Sequence, residues 1–113
     1  MRLIALTVTA VFVSSSAFAA TIGEPQICKA AISAIMGQKP KTIKLDRQAE
    51  GVSHVSYVRD DGTLWSYKCK IFGDEIVWAS SGGRWRDLPV DGKVTYKITQ
   101  DRAAITIKQT FDD

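Results

Sequence analysis

The chain has few of the residues that build metal centres and catalytic sites: one histidine and two cysteines among 113 residues. Three such residues are too few for most zinc sites made of cysteine and histidine ligands. No Gly-x-Ser-x-Gly motif accompanies His54, so we interpret this histidine as a residue on a strand face rather than a catalytic group. P-loop, dinucleotide and zinc-binding motifs are also absent. The sequence therefore predicts a protein without enzymatic activity, cofactor or metal.

Neither sign of charge is in large excess. The 15 Lys and Arg residues exceed the 12 Asp and Glu residues by +3, which is too small an excess to predict a nucleic-acid partner. The acidic pairs Asp60-Asp61 and Asp74-Glu75 lie in predicted turns, where carboxylates serve backbone geometry. A glycosidase would need two carboxylates facing each other across a cleft, and the spacing gives no sign of such a pair.

The one long hydrophobic run is at the N-terminus. Arg2 precedes a mostly apolar stretch over 3–13, and Ala17-Phe18-Ala19 fits the small-x-small rule of signal peptidase. The run is too short to be a comfortable membrane span. We expect a signal peptide over residues 1–19 and a single secreted globular domain over 20–113. Its 94 residues carry 14 basic and 12 acidic side chains, or +2. The short leader is of bacterial type and predicts a periplasmic location, with secretion beyond the outer membrane as the alternative.

Cys28 and Cys69 both lie in the mature part of the chain. Exported proteins form disulfides in an oxidising compartment, and no Cys-x-x-Cys redox motif is present. A structural disulfide is therefore predicted. Closing a loop of about 40 residues stabilises a domain by about 3–4 kcal/mol on the chain-entropy account.

Hydrophobic periodicity predicts one helix followed by strands. Apolar residues recur at three- and four-residue spacing over about 25–36, between Pro25 in the first turn and Gly37 as C-cap. Later segments alternate with period two, and Trp65 and Trp78 are placed in the core. Turn residues recur at roughly ten-residue spacing, as in a meander. The predicted strands are 42–46, 52–59, 63–72, 75–80, 93–99 and 103–110, with a further short strand near 84–86.

These elements predict an α+β fold. One N-terminal helix is expected to pack on a bent antiparallel sheet, or a small open barrel, of five to seven strands. Cys28 lies on the apolar face of the helix, and Cys69 lies on the same strand face as Tyr67 and Ile71. The disulfide is therefore expected to join helix and sheet.

A candidate binding segment follows the fourth strand. Trp85 stands between Arg84 and Arg86, just after the Ser80–Gly83 loop, and Trp and Arg are enriched in binding hot spots. Strand alternation favours a Trp85 that packs inward while the two arginines face solvent, and a Trp85 exposed at the binding surface is the alternative. Arginine forks suit carboxylates, so an acidic ligand or a protein partner is expected.

The stretch Ser81-Gly82-Gly83-Arg84-Trp85 resembles the start of a motif in periplasmic inhibitors of c-type lysozyme. The chain has Trp85 where that family has tyrosine, and it lacks the family's later Trp-x-Lys-Gly element. The resemblance implies an inhibitory loop in which Ser81 enters the cleft of a lysozyme-type peptidoglycan hydrolase, with Lys93 as a partner residue. The alternative is an envelope or virulence-associated interaction module with another ligand. The predicted binding residues are Ser81, Arg84, Trp85, Arg86 and Lys93.

Overall fold

The computed structural model describes residues 22–99 and 104–111. These residues form one α-helix, two short 3₁₀ helices and six strands. The bounds are α1 Glu24–Met36, a 3₁₀ helix Pro40–Thr42, β1 Lys44–Ala49, β2 Val52–Val58, β3 Leu64–Phe72, β4 Glu75–Ser80, a second 3₁₀ helix Pro89–Asp91, β5 Lys93–Ile98 and β6 Ile105–Thr110.

The strands form one antiparallel sheet in chain order, β1-β2-β3-β4-β5-β6. The β2–β3 turn is closed by a hydrogen bond from the Arg59 N–H to the Thr63 carbonyl (2.9 Å), as its Asp-Asp-Gly sequence predicts. Within the described residues, β4 and β5 share two registered pairs, Glu75 with Thr95 and Ile76 with Val94. The pairing between β4 and β5 is therefore the shortest in the sheet. The predicted antiparallel fold is confirmed.

Helix α1 covers one face of the sheet, called here the inner face. The Gln26 side chain accepts a hydrogen bond from the Gly23 N–H (2.9 Å) at its start, and Gly37 ends it. Burying the two side chains Ile27 and Ile32 contributes about 3–6 kcal/mol relative to exposing them. The predicted helix over 25–36 is confirmed. The buried apolar residues facing it from the strands are Val55, Tyr57, Tyr67, Cys69, Ile76 and Val94.

A disulfide joins Cys28 of α1 to Cys69 of β3, as predicted, with the two Cα atoms 5.7 Å apart. Both cysteines are fully buried. The disulfide thus joins the apolar face of the helix to the middle of the sheet, and it lies inside the hydrophobic core.

Strand β1 contains a β-bulge. Leu45 pairs with Val55 and Arg47 pairs with His54, so Asp46 is an extra residue in the strand. The Ser56 hydroxyl donates a hydrogen bond to the Asp46 carboxylate (3.0 Å). The bulge places both Asp46 and Arg47 on the face of the sheet that is turned away from the helix, called here the outer face.

Three sequence expectations are wrong. Trp65, expected in the core, is 39% exposed near the start of β3, where the Arg59 guanidinium lies over its ring. Residues 84–86 do not form a strand. The stretch expected as a strand over 42–46 begins as a 3₁₀ helix and becomes a strand only at Lys44, because Pro40 starts a tight turn.

Some expectations concern residues that lie outside the described ones, namely the signal peptide over 1–19 and the start of the last strand at Ala103. Within residues 22–99 and 104–111, none of the helices has the length and apolar character needed to cross a bilayer.

Candidate functional site

The candidate site is built on the segment that follows β4. At the turn, the Gly83 N–H donates to the Ser80 carbonyl (2.8 Å) and the Ser81 N–H donates to the Ser66 carbonyl (2.9 Å). The chain then runs back beside β4, where the Arg86 N–H donates to the Trp78 carbonyl (2.8 Å). The exposed turn Ser80–Gly83 is therefore fixed by the backbone at both ends.

Asp91 holds both arginines of this segment. Arg84 donates to the two Asp91 carboxylate oxygens from its Nη1 (2.9 Å) and Nη2 (2.8 Å), and Arg86 Nη1 lies 3.5 Å from Oδ1. The Leu88 N–H also donates to this carboxylate (3.0 Å). The hydrogen bonds from Arg84 are the main cause that lowers the pKa of Asp91 to about 2. The Arg84 fork, expected to bind an external carboxylate, is thus already occupied.

Trp85 lies across the outer face of the sheet, on the opposite side of the segment from the Arg86 side chain. Its ring centre is 4.6 Å from the Lys68 ammonium and 4.2 Å from that of Lys70, both within cation–π range. The Arg86 guanidinium instead lies over the Trp78 ring, at 5.6 Å. Trp85 therefore neither enters the core nor stands free, because it packs on two lysines of β3.

Two further basic side chains lie beside Trp85. Arg47 pairs with His54 across β1 and β2, and His54 pairs with Lys68 across β2 and β3. His54, Lys68, Arg47 and Trp85 line a shallow pocket of about 270 Å³, which Glu50 also borders. Burial first, and then the charges of Arg47 and Lys68, lower the pKa of His54. The nearby Asp46 carboxylate acts in the opposite direction, and the net effect of the surroundings is to favour the uncharged imidazole.

The five residues expected to bind do not form one surface. Ser81 is in the exposed turn, Trp85 is on the outer face, and Arg84 and Arg86 are held by Asp91. Lys93 begins β5, where it borders a separate pocket with Glu75 and Asp87, among other residues. The structure therefore groups Trp85 with a different set of basic residues, which sequence reasoning missed as site residues: Arg47, His54, Lys68 and Lys70.

The His54 side chain makes no hydrogen bond among the described residues, although its backbone pairs with β1 and β3. The nearby Ser56 hydroxyl donates instead to Asp46, and Ser53 is buried on the inner face. The part of the chain that the structure describes also contains no group of three or more metal-ligating side chains. The arrangement supports binding of an anion through charge and an aromatic ring.

Comparisons with protein-family models, with curated proteins and with solved structures found no match to this chain.

Proposed function

We propose that this protein is a non-enzymatic binding protein of the bacterial periplasm, and most concretely an inhibitor of a lysozyme-type peptidoglycan hydrolase. The observation that carries the proposal is the exposed, backbone-fixed turn Ser80–Gly83. A turn that already has its bound shape loses little conformational entropy on binding, which favours affinity.

The chemistry of the target fits such a turn. Glycosidases use two carboxyl groups that flank the bond they cleave, so their clefts offer hydrogen-bond acceptors and negative charge. Ser81 would enter this cleft as a small hydroxyl donor. Asp91, by holding Arg84 and Arg86, would keep the base of the turn in place.

A lysis assay tests the inhibitor proposal. We expect the purified protein 20–113 to slow lysis of peptidoglycan by a c-type lysozyme at micromolar excess. Ser81→Asp should weaken the inhibition at least tenfold, because it places a negative charge against the catalytic carboxylates. Thr106→Asp, the same charge change at an exposed position of β6, is the matched control and should inhibit normally. Unchanged lysis with the wild-type protein would overturn the proposal.

The proposed location has its own test. Expression of the full chain in a bacterium followed by intact-mass measurement of the periplasmic fraction should give the mass of residues 20–113. Recovery of the uncleaved chain in the cytoplasm would contradict export.

The alternative function, an envelope interaction module with another ligand, is favoured by a different observation. The basic residues around Trp85 outnumber the neighbouring carboxylates Asp46 and Glu50, and within the described residues they form no ion pair with a carboxylate. This alternative predicts no effect on lysis together with binding of an acidic ligand at the outer face.

A further inference from the structure

The outer face carries a row of basic side chains in register. Arg47, His54 and Lys68 are cross-strand partners on three neighbouring strands, and Lys70 follows two residues after Lys68 on the same face. Neighbouring strands are about 4.8 Å apart, so the row extends about 10 Å from β1 to β3. The bulge at Asp46 keeps Arg47 on this face.

Arg47, Lys68 and Lys70 make no close ion pair within the described residues, although Asp46 shares their face and Glu50 borders the adjoining pocket. Among residues 22–99 and 104–111, no carboxylate lies within 4 Å of the charged ends of Arg47, Lys68 or Lys70; the ion pairs found there are those of Asp91. The two ammonium groups share one ring, that of Trp85, which attracts each of them but does not cancel their charge. A negatively charged ligand would supply the missing counter-charge.

The Trp85 ring adds a flat apolar surface beside these charges. The ring is half-buried, and its backbone is held to β4 through the Arg86–Trp78 hydrogen bond. The adjoining pocket is shallow, so it suits a ligand that lies along the surface rather than a small molecule that is enclosed. The carbon-bound hydrogens of a sugar ring can pack against such an indole face through dispersion contacts.

We propose that the outer face binds an acidic polysaccharide, with a sugar ring packed on Trp85 and its carboxylates directed to Lys68, Lys70 and Arg47. The proposal names the ligand class of the interaction module described above, and it does not depend on inhibition of a hydrolase. An acidic polysaccharide carries carboxylates on successive sugar units, so several carboxylates of one chain can each pair with a different cation of the row. Single-stranded nucleic acid is less well matched, because such sites stack successive bases on several aromatic rings.

Binding of defined polymers tests the proposal. We expect the protein to bind polygalacturonate, but not neutral dextran, at 50 mM salt by titration calorimetry. Lys68→Gln with Lys70→Gln should weaken this affinity at least tenfold. Lys29→Gln with Lys41→Gln, an equal charge change on α1 and the first 3₁₀ helix, should change it less than threefold. Equal weakening by the two double variants would overturn the assignment of the site.

Trp85→Leu separates ring packing from charge. We expect this variant to bind polygalacturonate at least fivefold more weakly, although every cation remains. Unchanged affinity would overturn the role given to the ring. Binding of polyphosphate or oligothymidylate without binding of polygalacturonate would overturn the ligand class, whatever the lysis assay shows.

The single histidine provides a readout in the wild-type protein, so the test does not depend on the folding of a variant. The pKa of His54 is lowered by burial and by Arg47 and Lys68, and the Asp46 carboxylate opposes this shift in part. A bound polyanion would offset those charges, and the His54 pKa measured by NMR should therefore rise on addition of polygalacturonate and not of dextran. An unchanged His54 titration at saturating polymer would overturn the proposal.

Discussion

Gly92 is the residue at which the backbone most plainly excludes other side chains. Its φ of 79° and ψ of 174° lie in a region that is essentially restricted to glycine. A Cβ at this position would also lie 2.6 Å from Phe111 Cε1 and 2.8 Å from the Thr110 carbonyl oxygen. Gly92 thus lets the second 3₁₀ helix, which contains Asp91, join β5.

We expect Gly92→Ala to lower the free energy of unfolding by about 1–3 kcal/mol from backbone strain, before any clash is counted. Urea unfolding measures this loss. Adding Phe111→Ala to Gly92→Ala should recover only part of it, because the contact with the backbone of Thr110 and the unfavourable φ remain. A loss below about 0.5 kcal/mol for Gly92→Ala would contradict this account.

Asp91 gives the fold a dependence on acid. Its folded pKa of about 2 lies below the unfolded value of about 3.9, so its contribution to stability is present above pH 4 and is lost as the pH falls toward 2. Asp91→Asn should lower the melting temperature by a few degrees at pH 7, and the difference from wild type should disappear near pH 2. Asp60→Asn, in an exposed turn, is the control for charge. A difference between Asp91→Asn and wild type that stays constant from pH 7 to pH 2 would contradict the ion-pair explanation.

Strand alternation predicts the outer-face position of Lys68 and Lys70, because they alternate with Tyr67, Cys69 and Ile71. The ion pair between Arg84 and Asp91 cannot be predicted from the sequence. The two residues are seven positions apart in an irregular segment, where no helix or strand periodicity indicates which side chains meet. The sequence does not determine the position of Trp85, for the same reason. The segment is held to β4 by a backbone hydrogen bond from Arg86 to Trp78 and not by a ladder, so strand alternation gives no guide to the side of the Trp85 ring.

At the scale of elements, α1 and β3 are joined both by packing and by the Cys28–Cys69 disulfide. The double variant Cys28→Ala and Cys69→Ala should lower the free energy of unfolding by about 3–4 kcal/mol, because the unfolded chain regains the freedom of a loop of about 40 residues. Guanidinium unfolding measures the change, and the reduced wild-type protein should match the variant. A loss under about 1 kcal/mol would show that helix packing alone holds the two elements together.

The elements themselves were largely predictable. The helix has an apolar stripe, a proline in its first turn and a C-terminal glycine, and each hairpin has its own turn residues. Trp65 was misplaced because alternation reports which side of the strand a residue occupies, and not how far the covering helix extends. Near the start of β3 the inner face is left partly uncovered, so Trp65 is partly exposed although Tyr67 is buried.

At the scale of the whole molecule, the sheet has two parts, and the strands within the first part are paired more extensively than the two parts are with each other. The strands β1 to β4 are joined by long registers and include the disulfide, whereas β5 and β6 are joined to β4 through two registered pairs. Segments with fewer cross-links open at lower free energy than the global unfolding.

We therefore expect backbone amides of β5 and β6 to exchange with deuterium at least tenfold faster than those of β2 and β3 under native conditions. Hydrogen exchange followed by NMR measures this for each amide. In the Cys28→Ala and Cys69→Ala variant, the exchange rates of the two groups of strands should differ less, because the disulfide slows the opening of β3 in the wild-type protein. Equal protection across the six strands in the wild-type protein would show a single cooperative unit.

The bulge in β1 has a consequence for how this surface can change during evolution. Asp46 is accommodated as an extra residue, so Arg47 stands opposite His54 and Gln48 stands opposite Ser53. Deletion of Asp46 would leave both pairs in place and would remove one negative charge from the outer face. Loss or gain of one codon here can therefore adjust the charge of the outer face while every later residue keeps its side of the sheet.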